Sequence, residues 1–219
     1  MSQEDLVELW LLAKLVEVFM EASGYRPPGF VIYDKVIYAM KLFLDLFEGI
    51  SNPFSDYVFK PAKQGPYLKS PPLHYIVAQL ELEGLVVTAL ELTPFSELTD
   101  ELEISELETE ELTPDDYAII IDELSRDSEL FKKSMTYFII PVPENIAKYE
   151  QLVERRLSEN ELQVYRRGLR FIKYHINEIY KSRGHVETKF VVEWIHEVSK
   201  ALRTHSENSI KFVNVLARA

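Results

Sequence analysis

Between Leu6 and Met20 the chain runs almost unbroken in apolar residues, "LVELWLLAKLVEVFM", with Glu8, Lys14 and Glu17 as the exceptions. That pattern predicts a helix over 3–23, either buried on most sides or used to pair two chains. A membrane span wants about 20 mostly uncharged residues, and a signal peptide wants positive charge ahead of an uncharged core, so neither fits. The expectation is a cytoplasmic protein with no membrane contact. After a loop imposed by Gly24, Pro27, Pro28 and Gly29, "YDKVIYAMKLFLDLFEG" predicts a second helix over about 34–47. Asp34 is its expected cap, Lys35 and Lys41 its polar edge, and Gly49 its stop.

The next stretch, "FKPAKQGPYLKSPPLHYIVAQLELEGLVV", is the most organised. Residues 57–60, "YVFK", read as a strand that must break at Gly65-Pro66. Ser70 is placed to cap a third helix over 71–83 with Pro71 as its first residue, and Gly84 stops it before the strand "LVVTALEL". Two helices, then strand, turn, helix and strand, predict a mainly α chain with a minor β component. Its N-terminal part, 1–95, is expected to be a winged-helix-like unit with a small hairpin.

Residues 96–142 read as an acidic connector. Glu97 to Glu111, "ELTDELEISELETEE", is too charged to bury, a helix start is signalled at Thr113-Pro114, and "TYFIIPVP", 136–143, reads as a short strand or extended connector. From 143 to 219 the pattern is helical. Ser158 with Glu161 forms a capping-box signature, and Leu162, Tyr165, Leu169, Ile172, Ile176 and Ile179 recur at alternating spacings of 3 and 4. That is the seam of a helical bundle. Arg166, Arg167, Arg170 and Lys181 fall off the seam at about 100° per residue and form a basic outer stripe. "VETKFVVEWIHEVSKALR" predicts a further amphipathic helix, and "SIKFVNVLARA" a last element of undetermined type.

The net charge is −12, and it is unevenly spread. Residues 151–219 hold 13 Lys and Arg against 8 Glu, whereas the first 150 hold 11 basic and 28 acidic residues. A basic tail behind an acidic front docks either onto its own front half or onto a second copy, so a homodimer or larger assembly is expected; the overall negative field disfavours nucleic acid without excluding it.

Candidate chemistry is sparse. With no cysteine, disulfides, thiolate zinc sites and a cysteine nucleophile are excluded. Of the five histidines no two lie closer than the 9 positions from His196 to His205, so no metal site is expected. Glu193-Trp194-Ile195-His196-Glu197 reads as a packed Trp-Ile face with exposed neighbours. The seven glycines form no phosphate loop and no serine sits in a nucleophile elbow. The expectation is no cofactor and no enzymatic activity.

What stands out is a small basic and aromatic edge, Lys60, Lys63, Tyr67, Lys69 and His74, around the Gly65-Pro66 turn. It is either a contact site for a phosphate backbone or an acidic partner peptide, with Tyr67 as its aromatic anchor, or a scaffold in which Tyr67 plugs the gap between the second and third helices. The second is the reading adopted for Tyr67. These residues also carry a resemblance. The lysine-bearing helix with Lys35, Tyr38 and Lys41, the strand residue Phe59 leading to Gly65-Pro66-Tyr67, and the closing Leu80, Leu82, Gly84 and Leu85 resemble the YwgA-like proteins and, more distantly, the Panacea or SocA-like antitoxin domain. The resemblance covers residues 30–90. It implies a winged-helix-like, α-rich fold without catalytic residues, and a role as an antitoxin, regulator or accessory protein. The function expected is therefore a non-enzymatic regulator or adaptor that binds another protein. The alternative is a winged-helix transcription regulator, although "PPLHYIVAQLELEG" offers mainly His74, Gln79 and acids for base reading.

Overall fold

The structure, a computed structural model, describes residues 2–63, 65–92 and 135–204. The acidic stretch 97–111, the helix start at 113–114, His205 and the last element at 209–219 lie outside the described residues. Two compact units are distinguished: one contains residues 1–88 and 139–219, and the other contains 89–138. Of the second, the described parts are its two ends, strand residues 89–92 and 135–138.

The element order is α1 (Gln3–Ala22), α2 (Phe30–Leu44), β1 (Val58–Lys60), β2 (Tyr67–Ser70), α3 (Leu73–Leu82), β3 (Val86–Leu92), β4 (Met135–Pro141), α4 (Pro143–Glu154), α5 (Glu159–Arg183) and α6 (Thr188–Thr204). The described chain is mainly helical, with two two-stranded sheets, β1–β2 and β3–β4. Among the described residues no helix is long and apolar enough to cross a membrane.

Helix α1 starts with a reciprocal cap: the Asp5 N–H donates to Ser2 Oγ at 3.0 Å and the Ser2 N–H donates to Asp5 Oδ2 at 2.8 Å. Leu6, Trp10, Leu11, Ala13 and Leu15 are fully buried. The reason is intramolecular. Helix α1 packs along α5 and α4 and also touches α2, so its apolar circumference is covered by helices that return from far along the chain. Each of the buried leucines contributes about 1.5–3 kcal/mol of burial. The need for a second chain to cover α1 is thereby removed. The charge split is also used internally, since Lys173 Nζ of α5 donates to Glu21 Oε2 at 2.6 Å and Arg166 of α5 lies 3.4 Å from Glu150.

The predicted seam on α5 is largely real. Leu162, Tyr165, Leu169, Ile172 and Ile176 are buried, Ser158 closes the expected capping box with Glu161, and Gly184 ends the helix. Ser158 Oγ accepts from the Glu161 N–H at 3.3 Å.

Three local expectations are corrected. Helix α2 starts at Phe30 behind Gly29, so Asp34 is inside the helix and does not cap it. Lys35 is not on a polar edge: it is 2% exposed. Ser70 does not cap α3 but is the last residue of β2, and Pro72 takes the cap position. The physical cause is the Pro71-Pro72 pair, since each proline pushes the residue before it out of helical geometry and the helix can begin only after the second.

Candidate partner-binding face

Strands β1 and β2 pair antiparallel with Phe59 opposite Leu68 and Lys60 opposite Tyr67, after an irregularity between Val58 and Phe59. Side chains alternate between faces along a strand, so Lys60, Tyr67 and Lys69 share one face while Phe59 and Leu68 share the other. Burial follows that division: Leu68 is 6% exposed and Tyr67 40%. Lys60, Lys63 and Lys69 are all exposed. Three residues of the edge expected from sequence are thus brought onto one outward face, with Lys63 in the adjoining turn. The plug role falls to Leu68 rather than Tyr67, because the register turns the tyrosine outward.

A buried ion pair on α2 backs this hairpin. Lys35 Nζ donates to Asp34 Oδ1 at 2.8 Å, and a Cβ on Gly65 of the turn would meet the Lys35 side chain at 3.5 Å. Burial, the largest influence, pushes the Asp34 carboxyl above its ordinary value, against the hydrogen bond from Lys35. On the other side Tyr57 donates to Glu8 Oε1 at 2.5 Å, tying the approach to β1 onto α1, and burial raises the Glu8 carboxyl despite that bond.

The turn at Gly65 completes the arrangement. Its φ of +84° is a conformation few side chains adopt, and a Cβ there would sit 2.7 Å from Val192 Cγ2 of α6. The turn therefore lies directly against α6. Beside it opens a groove of about 830 Å³, with Tyr38, Phe59, Pro61 and Ile195 among its apolar walls and Lys60, His196 and Glu197 among its polar ones. The Tyr38 and Phe59 rings meet at 4.9 Å. Sequence reading found the Trp194-Ile195 packing face correctly, with both residues buried and His196 and Glu197 exposed. It missed that those exposed neighbours face the Gly65-Pro66 turn, and no local signal links positions so far apart in the chain.

The other candidates are placed differently. Gly84, with φ of +66°, ends α3, and its carbonyl accepts from Asn145 Nδ2 of α4 at 2.9 Å. Arg166 of the basic stripe bonds Glu154 and reaches Glu150 at 3.4 Å, joining α5 to α4. Arg167 and Arg170 are exposed, and Lys181 pairs with Glu178 one turn earlier at 3.3 Å. The stripe and the hairpin face form no single site: Arg166 and Arg170 line a separate polar groove of about 470 Å³ with Lys14, Glu17, Glu21 and Lys173. His74 is exposed on α3, with its ring tilted against that of Tyr75 at 4.9 Å. Among the described residues no group of three or more His, Cys, Asp or Glu could hold a metal ion.

Comparison with protein-family models, with curated proteins and with solved structures gives no match.

Proposed function

We propose that this chain is a non-enzymatic regulatory or adaptor protein, of the antitoxin-like or accessory kind, that acts by binding another protein through the β1–β2 hairpin. The observation that carries the reading is the gathering of Lys60, Tyr67 and Lys69 on one exposed face, beside an open apolar groove, in a chain of net charge −12. An aromatic ring flanked by cations, on a hairpin packed against α2 and with its turn against α6, is a pre-organised contact surface. The winged-helix-like reading of the N-terminal part belongs to this proposal. In it α3 would be the recognition helix, yet its exposed residues include Tyr75, Gln79, Glu81 and Leu82 and no Lys or Arg. Phosphate contact calls for cations, so that surface suits protein better than DNA. Assembly with a second copy rests on the charge split alone once α1 is covered inside its own chain.

The test is affinity capture from the native host with the parent chain and with Lys60→Glu/Lys63→Glu/Lys69→Glu, followed by reconstitution of any protein retained. The expected outcome is a purified partner whose affinity for the triple variant falls by about tenfold or more, or about 1.4 kcal/mol, with melting unchanged. Equal binding by both proteins, or loss on Arg167→Glu/Arg170→Glu instead, would move the site away from the hairpin.

A further inference from the structure

The groove beside the hairpin has a chemistry more specific than "protein-binding", and the following rests on the reading just given. Its walls are fixed: Gly65 packs on Val192 without room for a side chain, and Tyr38 and Phe59 form a ring pair at 4.9 Å. Its volume of about 830 Å³ is open to solvent and mainly apolar, which suits the side chains of a short segment rather than one enclosed small molecule. Pro61 has no N–H to continue a ladder just past Lys60, so at this end of the hairpin side chains carry the recognition. Lys60 of the hairpin and Lys200 of α6 line the groove, Lys63 stands in the adjoining exposed turn, and His196 and Glu197 lie on the α6 side, Glu197 as the opposing acid.

From that combination we infer that the groove takes an extended segment of a protein partner in which an aliphatic or aromatic side chain is flanked by Asp or Glu. The apolar side chain seats on Tyr38, Phe59 and Ile195, and the flanking carboxylates meet Lys60 and Lys63. Charge complementarity fixes the sign of the partner, since a basic segment would bring its charge against Lys60, Lys63 and Lys200 and be drawn only to Glu197.

Random peptides of about twelve residues displayed on phage, selected on the full chain, test this directly, with peptide anisotropy on the winners. The expected consensus places acidic residues next to one large apolar residue. The synthetic consensus peptide should lose about tenfold or more in affinity with Lys60→Glu/Lys63→Glu, and comparably with Ala62→Trp, which fills the groove from an exposed position. Binding should also weaken between about 0.05 and 0.5 M salt as the screening length shortens. All variants should melt like the parent. A groove-dependent consensus that is basic or uncharged would overturn the acidic occupant while leaving the adaptor reading in place. Peptides indifferent to both Ala62→Trp and the lysine reversals would overturn the groove as a peptide site, and the adaptor reading would then stand or fall on the capture experiment alone.

Discussion

Helices α1 and α3 are both apolar on more than one side, and the structure treats them in opposite ways. On α1 every large apolar side chain from Leu6 to Phe19 is buried, because α5, α4 and α2 approach it from different directions. On α3 one face, with Ile76, Val77 and Leu80, is buried, whereas Tyr75 is 66% exposed and Leu82 88%. Apolar residues around a helix thus announce a need for neighbours without saying how many the fold will supply. Two lysines repeat the contrast. Lys35 is buried against Asp34, and Lys60 stands in solvent, although both neighbour apolar runs. A buried, paired residue belongs to the scaffold, and an exposed one on a fixed surface is available for contact.

The largest expected effect breaks this comparison at its buried end. Trp10 is fully buried and meets Tyr165 edge-on with ring centroids 6.4 Å apart. Trp10→Ala should destabilise the chain by about 3–5 kcal/mol, or prevent folding, whereas Leu82→Ser should stay within about 0.5 kcal/mol. Urea unfolding of both variants measures the difference. A Leu82→Ser protein that loses several kcal/mol would mean that the outer face of α3 is covered in solution.

Much of the helical frame was legible in the sequence, for identifiable reasons. The 3-4 spacing from Leu162 to Ile176 and the Ser158-Glu161 cap are local signals, and local signals suffice for α5. The strands Val58–Lys60 and Met135–Pro141 were legible from β-rich composition between prolines and glycines. Asp34 looks like a cap because an Asp ahead of apolar residues often is one; inside the helix it pairs instead with the buried Lys35 beside it. Helices from the two ends of the described chain, α1 and α2 on one side of the acidic stretch and α4, α5 and α6 on the other, pack into one core, and no local signal in the sequence tells which of them meet. The groove was not legible at all. It joins the Gly65-Pro66 turn to Ile195 and His196, and only long-range packing brings those together.

An intermediate effect concerns the α5–α6 contact. The His175 ring stacks on Trp194 at 4.9 Å, Phe171 meets its edge at 4.8 Å, and its Nε2 is buried with no hydrogen-bond partner in the structure. Burial lowers its pKa from 6.5 to about 4, with Glu178 opposing weakly. The neutral ring is therefore the form that folds. Above pH 6.5 both folded and unfolded chains hold it neutral and stability is complete; as pH falls toward 4 the unfolded chain takes up the proton first, and stability is lost. The loss amounts to at most about 3 kcal/mol. His175→Phe keeps an aromatic ring and removes the titration, so its stability should vary less between pH 7 and 4 than the parent's. Identical pH profiles by urea denaturation would show that the ring is more hydrated than its packing indicates.

The last comparison lies within a single strand and runs down to the smallest effect. Leu68 and Tyr67 are adjacent in β2, yet one faces α2 and the other faces solvent. Leu68→Ala should cost about 2–4 kcal/mol as a buried leucine truncated over α2. Tyr67→Ala should cost clearly less, since 40% of the side chain's residue surface is already in water and its ladder partner Lys60 offers only a flexible chain. Lys60, Lys63 and Lys69 replaced together by Ala should change stability within about 0.5 kcal/mol, because exposed lysines give up solvation as easily as they gain contact. The ordering Leu68, then Tyr67, then the lysines is what the register requires, and melting of the three variants under one condition reads it. If Tyr67→Ala proved as damaging as Leu68→Ala, the tyrosine would be a scaffold residue, the outward face would shrink to its lysines, and the case for an aromatic anchor on this hairpin would be lost.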